Sequence, residues 1–281
     1  MYTKNENQQK KAPIDAVSQF RSWFFKFDSK FALLSVFAVI VVLILWYLST
    51  AVFNLVDPFV LPSPGTILAE LKILVTQGYT GVPLSTHIGV SLIRTLTGLG
   101  LGIAIGIPVG LLIGYSRVFS AIISPFISFL RPIPPIAFIP LMILYFGIGE
   151  FPKIALIFLS AFWYIVLNTS SGVKSVPDDL LRAGRNLGLS GFQLFAHVIL
   201  PAAMPQIVTG IKSATALSWA IVVAAEMIAA QSGLGYMIMD AATFFRLVDV
   251  YIGIALIGII GVILEGITTL FENKILHWRG K

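Results

Sequence analysis

The sequence predicts an all-α, polytopic membrane protein with six transmembrane helices, on three observations. Hydrophobic residues make up 57% of the 281 and charged ones only 11%, where an ordinary soluble domain carries about a quarter. Mean hydropathy is +0.91. So few charges cannot cover a water-soluble fold of this length, and the same figures exclude disorder. The apolar residues also fall into runs near the length that crosses ~30 Å of hydrocarbon as a helix. The chain has no cysteine, which removes disulfide frameworks, zinc–thiolate sites and iron–sulfur clusters.

Taken in order, residues 1–30 are a polar, basic tail. Within it Phe20, Trp23, Phe24 and Phe27 recur at i, i+3, i+4 and i+7, with Arg21, Lys26 and Lys30 between them. This spacing predicts an amphipathic helix on the inner leaflet; the other reading is a solvated basic tail whose aromatics pack on the bundle. The membrane domain is then 31–281. Its first uncharged run, 31–53, is longer than a signal-peptide core and lacks a cleavage-like end, so it is expected to be retained.

The second span, 95–116, carries Gly98, Gly102, Gly106, Gly110 and Gly114 in a strict four-residue register, with Pro108 as a kink point. Such a stripe lets another backbone approach closely, for static packing or for sliding against a neighbour. The third span, 118–149, is broken by Arg131-Pro132-Ile133-Pro134-Pro135. Arg131 is a pathway candidate, since an intramembrane arginine is costly and turns inward; alternatively it snorkels to the interface or caps freed carbonyls. The fourth span, 154–173, holds Trp163. The fifth starts near 207, with Lys212, Trp219 and Glu226, and repeats small residues at Ala216, Ala220 and Ala224. Glu226 falls near its outer end, where a charge is cheaper, and faces the same choice as Arg131. Trp163 and Trp219 flank a cavity or serve packing. The sixth span is 250–271, with Glu265 late in it.

Charge sets the orientation. Lys4, Lys10, Lys11, Arg21, Lys26, Lys30, Arg117, Lys174, Arg182, Arg185, Lys212, Lys274, Arg279 and Lys281 fall on one side, and Lys72, Lys153 and Arg246 on the other. Both termini are therefore expected in the cytoplasm. The net charge of +6 follows from topology and needs no nucleic acid.

The connection 174–206 is more than a linker. Pro177-Asp178-Asp179 starts a helix whose acidic pair suits its positive end, and Ala183-Gly184 gives it a smooth face. Gly188 ends it as a left-handed cap. Ser190-Gly191-Phe192-Gln193 has the capping-box pattern of a second helix, expected to run to Leu200 and stop at Pro201. Two short helices meeting at Gly188-Leu189-Ser190 make a structured knob on the cytoplasmic side.

Arg182-Ala183-Gly184, Gly188 and Leu200-Pro201 resemble the EAA loop of binding-protein-dependent ABC transporter permeases, with Arg182 in place of the first Glu and Gly184 in place of the second Ala. Leu130-Arg131-Pro132-Ile133-Pro134-Pro135, Tyr145-Phe146-Gly147-Ile148-Gly149-Glu150, Ala224-Ala225-Glu226-Met227-Ile228 and Gly233-Leu234-Gly235-Tyr236 resemble the branch that moves taurine, alkanesulfonates, nitrate and bicarbonate, its taurine members above all. The resemblance covers Leu61 to the C-terminus. It implies a type I ABC importer permease fold and a homodimer of this chain. It also implies two cytoplasmic ATPase subunits that hold ATP and Mg, and a periplasmic substrate-binding protein. The turn between the loop helices would dock in the ATPase.

The chain has no G-x-x-x-x-G-K-[ST] loop of its own and is not expected to hydrolyse ATP or bind a cofactor. An enzyme would need a nucleophile–base pair or a metal site. His87, His197 and His277 are far apart in sequence, expected outside the spans, and no H-E-x-x-H or G-x-S-x-G occurs. A self-contained secondary transporter is disfavoured by the lack of an inverted repeat.

Overall fold

A computed structural model of the chain describes residues 29–277, so the aromatic stretch Phe20 to Phe27 expected on the inner leaflet lies outside the described residues. The chain divides into two units at Leu45. Helix α1 (Ser29–Tyr47) holds the described part of the first unit, its last two residues belong to the second, and a π-helical turn follows at Leu48–Val52. There Ser49 and Thr50 both donate to the Trp46 carbonyl, at 2.9 and 2.7 Å.

Further along the second unit comes α2 (Pro64–Gln77), whose N-cap Ser63 accepts from the Thr66 N–H at 3.3 Å. It ends at Gly78, where φ is +79° and a side chain would run into the Val82 carbonyl. Helix α3 (Leu84–Tyr115) is 32 residues long, about 48 Å at 1.5 Å per residue. It begins well before the expected start at Thr95. The uncharged-run criterion stopped at Arg94, but the fold neutralises that charge, so the helix passes through it.

Helices α4 (Arg117–Leu130) and α5 (Ile139–Phe146) flank the proline break, with a 3₁₀ turn at Pro135–Phe138. The path turns by 83° between the two halves, consistent with prolines that leave carbonyls without donors. Gly147, with φ +74°, turns the chain into α6 (Glu150–Lys174), which has an acid in its first turn and a base in its last. Then come α7 (Asp178–Asn186), the short α8 (Gly191–Leu194), a π-helical turn Phe195–Ile199, α9 (Leu200–Ala229), α10 (Leu234–Thr243) and α11 (Leu247–Ile275). Among the described residues, five helical runs are long and apolar enough to cross a membrane, or six if the bent α4–α5 pair is taken as one span.

Helix α6 is the centre of the bundle; its Ile157, Ala161, Ile165 and Val166 are fully buried. The five glycines of α3 lie against it in register. A Cβ on Gly98 would stand 2.6 Å from the Ile157 Cβ, one on Gly102 2.7 Å from that of Ala161, and one on Gly110 2.6 Å from that of Thr169. Gly106 and Gly114 face Ile165 and Val173 in the same way. Both numberings rise together, so α3 and α6 run parallel, and the stripe meets a helix of its own chain. On another side α6 meets α9, where Gly172 lies under the Ala203 carbonyl and Gly210 against Asn168. In lipid no hydrophobic effect drives helices together, so this contact is held by dispersion between closely fitted backbones.

Two further boundaries differ from expectation. The second loop helix does not stop at Pro201, and the fifth span does not start near 207. The chain stays helical from Gly191 to Ile228. Proline has no N–H for the preceding turn, and the wider π-helical turn immediately before Leu200 absorbs the missing bond.

Candidate functional site

Three constellations stand out among the described residues, and the first is the knob. Helix α7 ends in a complete Schellman motif: the Gly188 N–H donates to the Arg185 carbonyl at 2.9 Å and the Leu189 N–H to that of Gly184 at 3.2 Å. Gly188 sits at φ +77° with nothing around its Cβ position. Ser190 then caps α8 in a capping box, the Gln193 side-chain oxygen accepting from the Ser190 N–H at 2.9 Å. Gly184 is buried where the two helices cross, and a Cβ there would stand 2.6 Å from Leu194 Cδ1. Arg182, Ala183 and Gly188 are exposed, Leu189 is half-buried and Ser190 exposed. The tip presents Leu187 and Phe192, 82% and 80% exposed. Leu200 and Pro201 lie past the π-helical turn, inside the long α9 rather than in the turn region.

The second is a cavity of about 450 Å³ between the proline break, α6 and α9. Arg131 and Trp163 both line it, with Pro134, Pro135, Ser160, Tyr164, Asn168, Ser171 and Leu217. Trp219 is elsewhere. It is buried in the core, its indole N–H donates to the Ile257 carbonyl at 3.0 Å, and its edge borders a separate groove between α9 and α11. The two tryptophans therefore do not flank one cavity.

The third constellation is a buried charge cluster whose centre, Arg94, the sequence left unassigned. Its guanidinium grips Glu150 with two bonds, at 2.5 and 2.6 Å, and gives its third nitrogen to Glu226 at 2.8 Å and the Ser232 carbonyl at 2.7 Å. Glu226 also accepts from the Ser91 hydroxyl and, at 3.0 Å, from the Gly235 N–H. The Ser91 oxygen in turn accepts from the Leu234 N–H at 2.9 Å. Lys153 adds a bond to Glu150 at 3.2 Å. Glu226 is near the end of α9 as expected, but it is 1% exposed. Its charge is tolerated because Arg94 neutralises it, not because the helix end is wet. It lines neither of these two cavities. The cluster joins α3, α6, α9 and the loop into α10. The available signal was balance: Arg94 and Lys153 face Glu150 and Glu226 at the borders of apolar runs, and intramembrane charges pair.

Close by, the Tyr79 hydroxyl donates to Asp240 at 2.7 Å and Arg246 lies 4.8 Å over its ring. Burial first, and then the Asp240 acceptor, hold that hydroxyl well above its usual pKa. His87, expected outside the spans, is buried within α3, where its Nδ1 accepts from the Gly233 N–H at 3.2 Å.

The family described as binding-protein-dependent transport system inner membrane component matches residues 102–277. The chain is 38% identical over 249 residues to the taurine transport system permease protein TauC of Escherichia coli (strain K12), covering 88% of this chain and 90% of that one. It is 32% identical over 221 residues to the nitrate import permease protein NrtB of Synechocystis sp., covering 77% and 80%. Its fold is similar to an inward-facing conformation of the MetNI methionine ABC transporter, with a TM-score of 0.60, 20% identity, and coverage of 68% of this chain and 95% of that one.

Proposed function

The chain belongs to the family of binding-protein-dependent transport system inner membrane components, and it is a multi-pass inner-membrane permease of an ABC importer; from that premise we propose that it carries a small sulfonate, taurine first, driven by a separate ATPase. The observation that carries the coupling half is the knob's continuity with the bundle. The doubly capped turn passes through the π-helical turn into α9 without a break. A push on the tip thus reaches the centre of the membrane through one run of helix.

In this reading two copies of the chain pair, and two cytoplasmic ATPase subunits take the tips, Leu187 and Phe192 entering an apolar groove. ATP and Mg are held by those subunits, and a periplasmic binding protein delivers the cargo. Both termini face the cytoplasm, as the Lys and Arg distribution favours. Arg182 to Ser190 form the docking element, and Arg131 with Trp163 borders the pathway. Glu226 and Trp219 act as supports rather than pathway groups, since one is neutralised by Arg94 and the other packs in the core.

The cargo half rests on the likeness to TauC together with the cationic cavity. Taurine carries a permanent sulfonate. Two unit charges 4 Å apart attract by about 4 kcal/mol at an effective dielectric of 20, enough to bias entry without trapping. The likeness to NrtB supports nitrate as the second reading. The test is reconstitution with the cognate binding protein and ATPase, following uptake of labelled taurine, an alkanesulfonate, nitrate and bicarbonate. Sulfonate uptake is expected. Uptake of nitrate or bicarbonate alone overturns the cargo and leaves the permease role standing.

A further inference from the structure

Four polar side chains of α6 stand in one line. Ser160, Tyr164, Asn168 and Ser171 are spaced i, i+4, i+8 and i+11, so they share a helix face, and all four line the cavity that holds Arg131. At 1.5 Å per residue the line covers about 16 Å along the helix. No Asp or Glu lines this cavity. Among the described residues, the Arg131 guanidinium has neither an ion pair nor a hydrogen bond, whereas Arg94 holds two carboxylates. Arg131 is exposed at this half-open cavity and the cavity lining offers it no acid, so an anion that enters can reach an unpaired cation there.

Some donors along this line are engaged and others are free. The Ser160 hydroxyl is engaged by the Ile157 carbonyl at 2.7 Å, and the Asn168 amide gives one hydrogen to the Tyr164 carbonyl at 2.8 Å. The second amide hydrogen of Asn168 and the hydroxyls of Tyr164 and Ser171 have no partner among the described residues. Asn168 is also held in place from behind. Gly210 of α9 lies so close that a Cβ there would stand 2.7 Å from the Asn168 Cβ.

We infer that Tyr164, Asn168 and Ser171, with Arg131, form an anion-selective lane inside the permease, which passes an organic sulfonate between successive neutral donors. Selectivity is then exercised twice, by the delivering protein and again by this chain. Single hydroxyl and amide donors bind an oxyanion weakly enough for release, and one cation sets the sign of the charge admitted. Trp163 supplies an apolar wall for the carbon body. That the passing anion is a sulfonate rests on the cargo reading above; the sign of the charge does not.

The absence of cysteine makes the test direct. Asn168→Cys, in the reconstituted permease–ATPase complex, is treated with two methanethiosulfonates of similar size, one ending in a sulfonate and the other in a trimethylammonium. Each rate is divided by the rate with a small free thiol. The normalised anion-to-cation ratio is expected to be about tenfold, the low end of what charge focusing in a cleft gives. It should fall towards one when Arg131→Gln is added, and ethanesulfonate should slow the labelling. Ser171→Cys serves if Asn168→Cys does not assemble. A ratio at or below one, a ratio unchanged by Arg131→Gln, or no labelling of an assembled complex overturns the lane. Anion preference in a complex that carries no sulfonate leaves the lane standing and overturns the cargo alone.

Discussion

Arg94 and Glu226 are 132 positions apart in the chain, and in the folded molecule they form a buried ion pair at 2.8 Å. Removing one partner of such a pair leaves an uncompensated charge and costs about 3–5 kcal/mol. Glu150 holds the same arginine through two bonds and Lys153 through one, but its own side chain is 58% exposed, so solvent screens its hold on those cations more than it screens the Glu226 pair. Glu226→Gln is therefore expected to lower the thermal unfolding midpoint in lipid nanodiscs well below that of Glu150→Gln. The reverse order would mean that the buried carboxylate is not the anchor. Glu226 was conspicuous in the sequence as a carboxylate inside an apolar run. Arg94 was not, because nothing local marks which charge will pair across the bundle. For the same reason Asn168 and Tyr164 carry no signal in the sequence: a polar stripe on one helix has meaning only once the break at Arg131 faces it.

The glycine stripe of α3 was legible as a smooth face, since four-residue spacing is a property of one helix. Its neighbour was not legible, because spacing says nothing of what the face meets. The structure places α6 of the same chain there, which makes the cost of each glycine specific. A Cβ on Gly114 would stand 2.5 Å from the Cβ of Val173, a branched residue with little rotamer freedom. Gly114→Ala should therefore cost about 1–3 kcal/mol by overpacking. Gly100, on the same helix, has nothing within 4 Å of its Cβ position, so Gly100→Ala should be neutral or should stabilise by up to about 1 kcal/mol. Unfolding midpoints of the two variants check this, and equal effects would remove the packing account of the stripe. Pro201 shows the opposite limit of local rules. Proline after Leu200 reads as a stop, and a π-helical turn set by the surrounding fold lets the helix continue.

At the scale of the whole molecule, the proposed coupling depends on the knob being both rigid and free at its tip. Gly188 has open space around it and a left-handed backbone, so Gly188→Asp strains the turn by about 1–2 kcal/mol without disturbing the bundle. The variant is expected to insert and fold with an almost unchanged midpoint, yet to lose ATPase retention in mild detergent and uptake in vesicles. Normal retention and uptake would dissociate the turn from coupling. Composition, run length and capping residues determined by themselves an all-helical membrane chain with a broken third span and a capped knob. These follow from the cost of exposing charge and backbone groups to lipid, which each segment meets on its own. Only the tertiary structure decided that α6 lies at the centre, that Arg94 joins Glu150 to Glu226, that Trp163 borders the Arg131 cavity while Trp219 packs in the core, and that the knob runs unbroken into α9. Those outcomes depend on which helix faces come together. In a solvent as apolar as the side chains themselves, close fit and charge pairing between distant segments select the faces.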